Sequence, residues 1–258
     1  MSAMYMVSAQ KPTAVTHSMI GRITSINDLN LIICKNSLIE IYKVTSEGLK
    51  FLKQITIWGI VETLSIYRSK HDKKDNILVI TAKFDVMALS FEFNSNGILE
   101  VITKSHGSIK DTIPRQSSTH IITAIDDSRN LVAIKCYDGI LKTLNLNSEH
   151  KQLSLSNLRM SDLNVIDLIF LKNDSDYPNL ALICKEPNNK LIAKVYTLDQ
   201  NCKEISSPIW KKEINDNQAF LISVPEPYGG FLVLGSQSVN YFNISSNGSV
   251  IKSPSFLN

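Results

Sequence analysis

Short apolar runs alternate with polar turns along nearly the whole chain, and no stretch holds a helical period for more than about three turns. The pattern predicts an all-β protein. One unit recurs, a strand, a tight polar turn and a second strand: ICKNSLIEIYKV around Asn36, ITAKFDVMALSFEF around Asp85, AIKCYDGILKTLNL around Asp138, LICKEPNNKLIAKVYTL around Asn189 and LVLGSQSVNYFNI around Gln237. The turns recur about every fifty residues, which leaves room for two further strands per repeat and fits a long, kelch-like propeller blade. Around the fourth hairpin, residues 165–171 and 204–214 are the expected flanking strands.

A four-stranded sheet cannot bury both faces alone, so blades must stack on their neighbours. ILVI at 77–80 and LALIC at 180–184 are apolar at every position, as central strands covered on both sides should be. The Trp-Asp and Gly-His marks of the commonest propeller repeat are absent, which makes the propeller divergent. Five hairpins imply about five four-stranded blades. No outer strand or closing overlap is evident after the last hairpin, so the expectation is an incomplete ring, with residues 1–258 forming part of one propeller domain and no second domain. Trp58 and Trp210 sit in strand-like segments and read as blade packing.

Composition narrows the function. The formal net charge of +3, from 27 basic and 24 acidic residues spread along the chain, gives no sign of a charged face that tracks a phosphate backbone. The N-terminal region lacks a basic segment followed by a signal-like apolar run; Tyr5, Val7 and Ala9 alternate as in a strand. Apolar runs are far too short to cross a bilayer as helices. Cys34, Cys136, Cys184 and Cys202 show no Cys-x-x-Cys spacing, and three of them lie in apolar strands, where a thiol behaves as a small hydrophobe. An intracellular, reducing location is expected. Glycosylation sequons begin at Asn173, Asn243 and Asn247, a short pattern that arises readily by chance in a chain rich in Asn and Ser.

Reactive constellations are scarce. There is no P-loop, dinucleotide fingerprint, His-Glu-x-x-His or Gly-x-Ser-x-Gly motif. A propeller enzyme would gather carboxylates or histidines at one mouth of its channel, which brings Asp85, Asp138 and His106 into view. Asp at a hairpin turn, as in Tyr137-Asp138-Gly139, is more simply explained by its tolerance of left-handed geometry and its backbone capping. Ser105, His106 and Asp111 have the residue types of a hydrolase triad, but neighbours on a strand and loop rarely meet its geometry. KHDKKD at 70–75 mixes both signs and reads as a solvated loop. No catalytic residue, metal site or cofactor is assigned.

Function then rests on surfaces. In a propeller, equivalent turns of successive blades fall on one face, so the turns at Asn36, Phe84, Tyr137 and Asn189 should share a face with the blade-to-blade link around Arg115. Phe84, Arg115 and Tyr137 are of the types enriched at interface hot spots and are the candidate partner-binding residues.

Several stretches carry a family resemblance: YMVSAQKPTAV at 5–15, DLNLIICKNSLIEIYKVTSEGL at 28–49, TAKF at 81–84, HGSIKD at 106–111, YDG at 137–139, VIDLIFL at 165–171 and VPEPYGG at 224–230. In this order, over nearly the whole chain, they resemble the N-terminal propeller of the large-subunit family of damage-specific DNA-binding complexes, whose relatives include scaffolds of pre-mRNA cleavage and splicing. The resemblance implies part of a seven-bladed ring completed by other sequence, so that the chain would be a fragment or truncated product. It implies a non-catalytic adaptor joining substrate receptors, through their helical motifs, to a cullin-4 ubiquitin ligase in the nucleus and cytoplasm. Cullin contact would fall to another propeller, and damaged DNA would be reached through a partner subunit. Direct nucleic-acid binding and a channel-mouth enzyme are the competing expectations.

Overall fold

The computed structural model describes residues 10–70, 72–146, 153–173, 175–199, 203–236 and 238–243, with the backbone of 251–252. Tyr5, Val7, Ala9, His71, His150, Cys202, Gln237 and the sequon at Asn247 lie outside the described residues. Among the described residues all regular structure is strand, arranged as five four-stranded antiparallel sheets in sequence order. The all-β propeller expectation holds.

Two compact units divide the chain, the first formed by residues 1–68 and 72–110, the second by 69–71 and 111–258. In the first unit, blade 1 consists of β1 (His17–Gly21), β2 (Asn30–Lys35), β3 (Leu38–Thr45) and β4 (Gly48–Thr56). Blade 2 consists of β5 (Val61–Tyr67), β6 (Asn76–Thr81), β7 (Asp85–Phe93) and β8 (Leu99–Ser108). Facing side chains from the two blades, among them Ile32, Ile39 and Ile41 against Leu64, Val79 and Phe91, form one buried apolar cluster.

In the second unit, blade 3 holds β9 (Ile122–Asp126), β10 (Leu131–Tyr137), β11 (Ile140–Asn145) and β12 (Ser154–Arg159). Blade 4 holds β13 (Val165–Phe170), β14 (Asn179–Lys185), β15 (Leu191–Thr197) and β16 (Trp210–Ile214). Blade 5 holds β17 (Ala219–Ser223), β18 (Phe231–Gly235), β19 (Val239–Phe242) and β20 (Ile251–Lys252). Strand β14 shows why the sequence is apolar throughout. Leu180 and Leu182 join the cluster shared with blade 3, whereas Ala181 and Ile183 join the one shared with blade 5. Successive strand residues point to opposite faces, so a blade with two neighbours needs an apolar residue at every position. Each Leu or Ile so buried contributes about 1.5–3 kcal/mol.

Four expectations are corrected. Trp58 is 95% exposed in the link between β4 and β5, outside any strand, while Trp210 does pack, its ring centroid 5.5 Å from Phe231 and 5.0 Å from Phe242. The strand expected over 204–214 begins at Trp210, because Ser206-Ser207-Pro208 precedes it and proline cannot donate to a ladder. An outer strand does follow the fifth hairpin: β20 pairs with β19 through Asn240 and Tyr241. Its two residues, Ile-Lys, give little strand signal in the sequence. Finally, the 70–75 segment is anchored: Asp75 accepts the Arg22 N–H at 2.6 Å and pairs with Arg68 at 2.7 Å, and Asp72 pairs with Lys104 at 2.6 Å.

Candidate functional site

In each unit the central hairpin turns lie at the end where the chain passes between blades. Their backbones are left-handed at Asn36 (φ 62°), Phe84 (φ 68°), Gly139 (φ 72°) and Asn189 (φ 64°). Asn and Gly adopt this conformation readily; a bulky aromatic does not. Phe84 closes a turn in which its N–H bonds Thr81 O at 2.9 Å, and its carbonyl accepts the Ile109 N–H at 2.8 Å. The links hydrogen-bond to the same turns. Ile57 and Val61 donate to Ser37 O and Asn36 O, Met160 donates to Gly139 O, and Asp138 donates to Arg115 O, all at 2.8–3.0 Å. Turns and links therefore share one end within each unit.

At this end of the first unit lies a groove of about 540 Å³ whose apolar wall includes Ile57, Trp58, Val86 and Met87, with Asp85 and His106 on its polar side. Trp58 stands almost wholly in solvent beside it. Ser105 and His106 are adjacent strand residues and so face opposite ways: Ser105 is buried and His106 exposed, which removes the triad geometry. Among the described residues no group of three or more His, Cys, Asp or Glu is placed to hold a metal ion.

In the second unit the link after Lys110 is fixed by a partly buried polar cluster. The Tyr137 hydroxyl accepts the Asp111 N–H at 2.7 Å and donates to Asp111 O at 3.3 Å. Lys142, itself buried, reaches the Asp111 carboxylate at 3.5 Å and Asn157 Oδ1 at 3.0 Å, and lies 5.4 Å from the Tyr137 ring centroid. Lys135 is fully buried and donates to Tyr137 O, with Asp138 at 3.5 Å. Burial holds the Lys135 ammonium below the usual lysine range, against the opposing pull of Asp138. Desolvation raises Tyr137 above the usual phenol and pushes the Cys136 thiol up to about 11.

The next link repeats the device. Asp162 is buried and accepts hydrogen bonds from Lys194 and Tyr196 at 2.5 Å each. Burial alone would lower Lys194, but its bond to Asp162 leads the effects that raise it overall.

Of the three sequence candidates, Arg115 is exposed, with an 86% accessible side chain 3.9 Å from Asp138. Phe84 and Tyr137 are buried and shape the turns from within, so as direct contacts they offer almost no surface. Sequence reasoning missed the exposed apolar residues of the links, namely Trp58, Ile60, Ile113 and Leu163. Their one legible signal is their position beside turn residues.

The sequence matches the family described as RSE1/DDB1/CPSF1 first beta-propeller over residues 14–255. It is 34% identical over 247 residues to DNA damage-binding protein 1 of Drosophila melanogaster, covering 95% of this chain and 21% of the relative. Against DNA damage-binding protein 1b of Arabidopsis thaliana it is 30% identical over 238 residues, covering 92% and 22%. DNA damage-binding protein 1 of Oryza sativa subsp. japonica is 30% identical over 243 residues, with 94% and 22% covered. The chain thus spans about a fifth of the length of these curated relatives.

Proposed function

The chain belongs to the RSE1/DDB1/CPSF1 first-propeller family, and on that premise we propose that it serves as a non-catalytic docking surface of a DNA damage-binding adaptor. Its partners in this reading are substrate receptors of a cullin-4 ubiquitin ligase, held through helical motifs, in the nucleus and cytoplasm. Cullin contact falls to other sequence of the adaptor, and damaged DNA is reached through a partner subunit. The observation that carries the reading is Trp58, 95% exposed beside an apolar groove at the turn end of its unit. A large aromatic side chain left in water at the rim of such a groove is the composition of a binding hot spot. Phe84 supports the turn end of this same unit from within, and in the second unit Arg115 is the exposed contact and the buried Tyr137 ring its support.

Co-purification of the full-length protein with cullin-4 and a receptor tests this. Trp58→Ala and Arg115→Ala should each reduce the receptor recovered while leaving cullin-4 bound. Full receptor recovery by a variant would remove the turn end of its own unit from the function. Retention on DNA without any receptor, falling steeply with salt, would instead favour direct nucleic-acid binding.

A further inference from the structure

Two glycines of the chain follow an asparagine, and of these pairs Asn96-Gly97 lies among the described residues. It sits at the tip of the β7–β8 hairpin, beyond the last ladder pair, Phe93 with Leu99. Strand β7 begins beside the Phe84 turn and runs away from it for 9 residues. The tip is therefore about 30 Å from that turn, at the opposite end of blade 2. Asn94 braces the loop. Its Oδ1 accepts the Asn96 N–H at 3.0 Å and the Ile98 N–H at 2.9 Å, and its Nδ2 donates to Glu100 Oε1 at 2.9 Å. Its carbonyl accepts the Gly97 N–H at 2.9 Å. Asn96 is exposed, and among the described residues no group bonds its carboxamide. Gly97 is left-handed at φ 72°, and a Cβ built on it would meet nothing within 4 Å.

We propose that Asn96 is a spontaneous modification site, converted by water to aspartate and isoaspartate at a rate that Asn94 restrains. The nucleophile is the Gly97 main-chain nitrogen. It gives its proton to a solvent base and attacks Asn96 Cγ; as the new C–N bond closes a succinimide ring, the Cγ–Nδ2 bond breaks and ammonia leaves. Water then opens the ring at Cγ to give aspartate, or at the Asn96 main-chain carbonyl to give isoaspartate. Water enters, ammonia departs, and neither oxidant nor enzyme is needed. Glycine matters because a Cβ at position 97 would crowd the attacking nitrogen. Other asparagines before small residues are held. The Asn36 and Ser37 carbonyls accept the Val61 and Ile57 N–H groups, and the carboxamide of Asn94, which precedes Ser95, is engaged at both ends. At Asn96 the restraint is the Gly97 N–H bond to Asn94 O, in an exposed tip where local opening is easy. Conversion places a new carboxylate in this loop and, as isoaspartate, an extra main-chain atom. The docking function lies at the other end of the blade and is independent of it.

The test incubates full-length protein at neutral and mildly alkaline pH and maps its peptides by mass spectrometry, with electron-transfer fragmentation separating isoaspartate from aspartate. Asn96 should convert at least about tenfold faster than any other described asparagine, because no other is followed by glycine. Isoaspartate should exceed aspartate, and the rate should rise with hydroxide. Gly97→Ala should slow conversion at least about tenfold. Asn94→Ala removes the acceptor of the Asn96 and Ile98 N–H groups and should speed conversion several-fold, toward the rate of wild type unfolded in urea. Conversion of Asn96 no faster than that of the other described asparagines, or to aspartate without isoaspartate, overturns the site. A wild-type rate in Gly97→Ala overturns attack by the Gly97 nitrogen. A wild-type rate in Asn94→Ala overturns the restraint.

Discussion

Gly230 lies against the backbone of Phe242 so closely that a Cβ built on it would stand 2.2 Å from the Phe242 carbonyl oxygen, and its own backbone is left-handed at φ 75°. This contact explains the last part of the VPEPYGG segment. The Tyr241 hydroxyl donates to Tyr228 O and Gly229 O at 2.9 Å, and Asn243 Nδ2 donates to Tyr228 O at 3.1 Å, strapping the loop onto β19. Gly230→Ala should therefore destabilise by roughly 2–4 kcal/mol, combining left-handed strain with displacement of main chain. Gly97→Ala, also at positive φ but with open space around it, should lose only about 1 kcal/mol. Urea denaturation of both variants checks the difference.

The two tryptophans should behave oppositely. Trp58 touches little, so Trp58→Ala should change stability by less than about 0.5 kcal/mol. Trp210 packs on Phe231 and Phe242, so Trp210→Ala should cost about 2–4 kcal/mol. Thermal melts of the pair provide the comparison.

Blades were legible because strands buried on both faces must be apolar throughout, as Leu180 to Cys184 are, and because Asn36, Asp138-Gly139 and Asn189 advertise turns. Phe84 was unreadable as a left-handed residue, since nothing in its chemistry favours that conformation. Trp58 follows a β-like run and looks like strand, yet the chain has already turned toward the next blade. Lys135 and Lys142 look like outward polar positions in apolar strands; their burial depends on partners at Asp138 and Asp111 that local pattern cannot reveal. Turn chemistry marks where the chain reverses, but local pattern does not separate the exposed Trp58 and Arg115 from the buried Phe84 and Tyr137.

Phe84 sets two effects against each other. Phe84→Gly relieves about 1–2 kcal/mol of left-handed strain but gives up about 2–3 kcal/mol of ring burial and the backbone restriction. Burial should win, leaving a net loss of about 1–2 kcal/mol by chemical denaturation.

Stability should fall in alkali. Burial holds the Cys136 thiol at about 11 and Cys184 at about 12, against an ordinary value of 9.0, and raises Cys34 as well. A thiol raised in the folded state contributes stability that is present below its unfolded value and lost as pH climbs from there toward the folded one. Melting temperature in a Cys202→Ser background should therefore decline from about pH 9 upward. The three buried thiols should stay unreactive toward a thiol reagent at pH 8 until the protein unfolds.

Whether the links and turns hold a protein partner is measured most directly by the affinity of full-length protein for a purified cullin-4 substrate receptor, with and without the Trp58→Ala and Arg115→Ala pair. The double variant should bind at least about tenfold more weakly while melting within a few degrees of wild type. Equal affinity of the two proteins would contradict it.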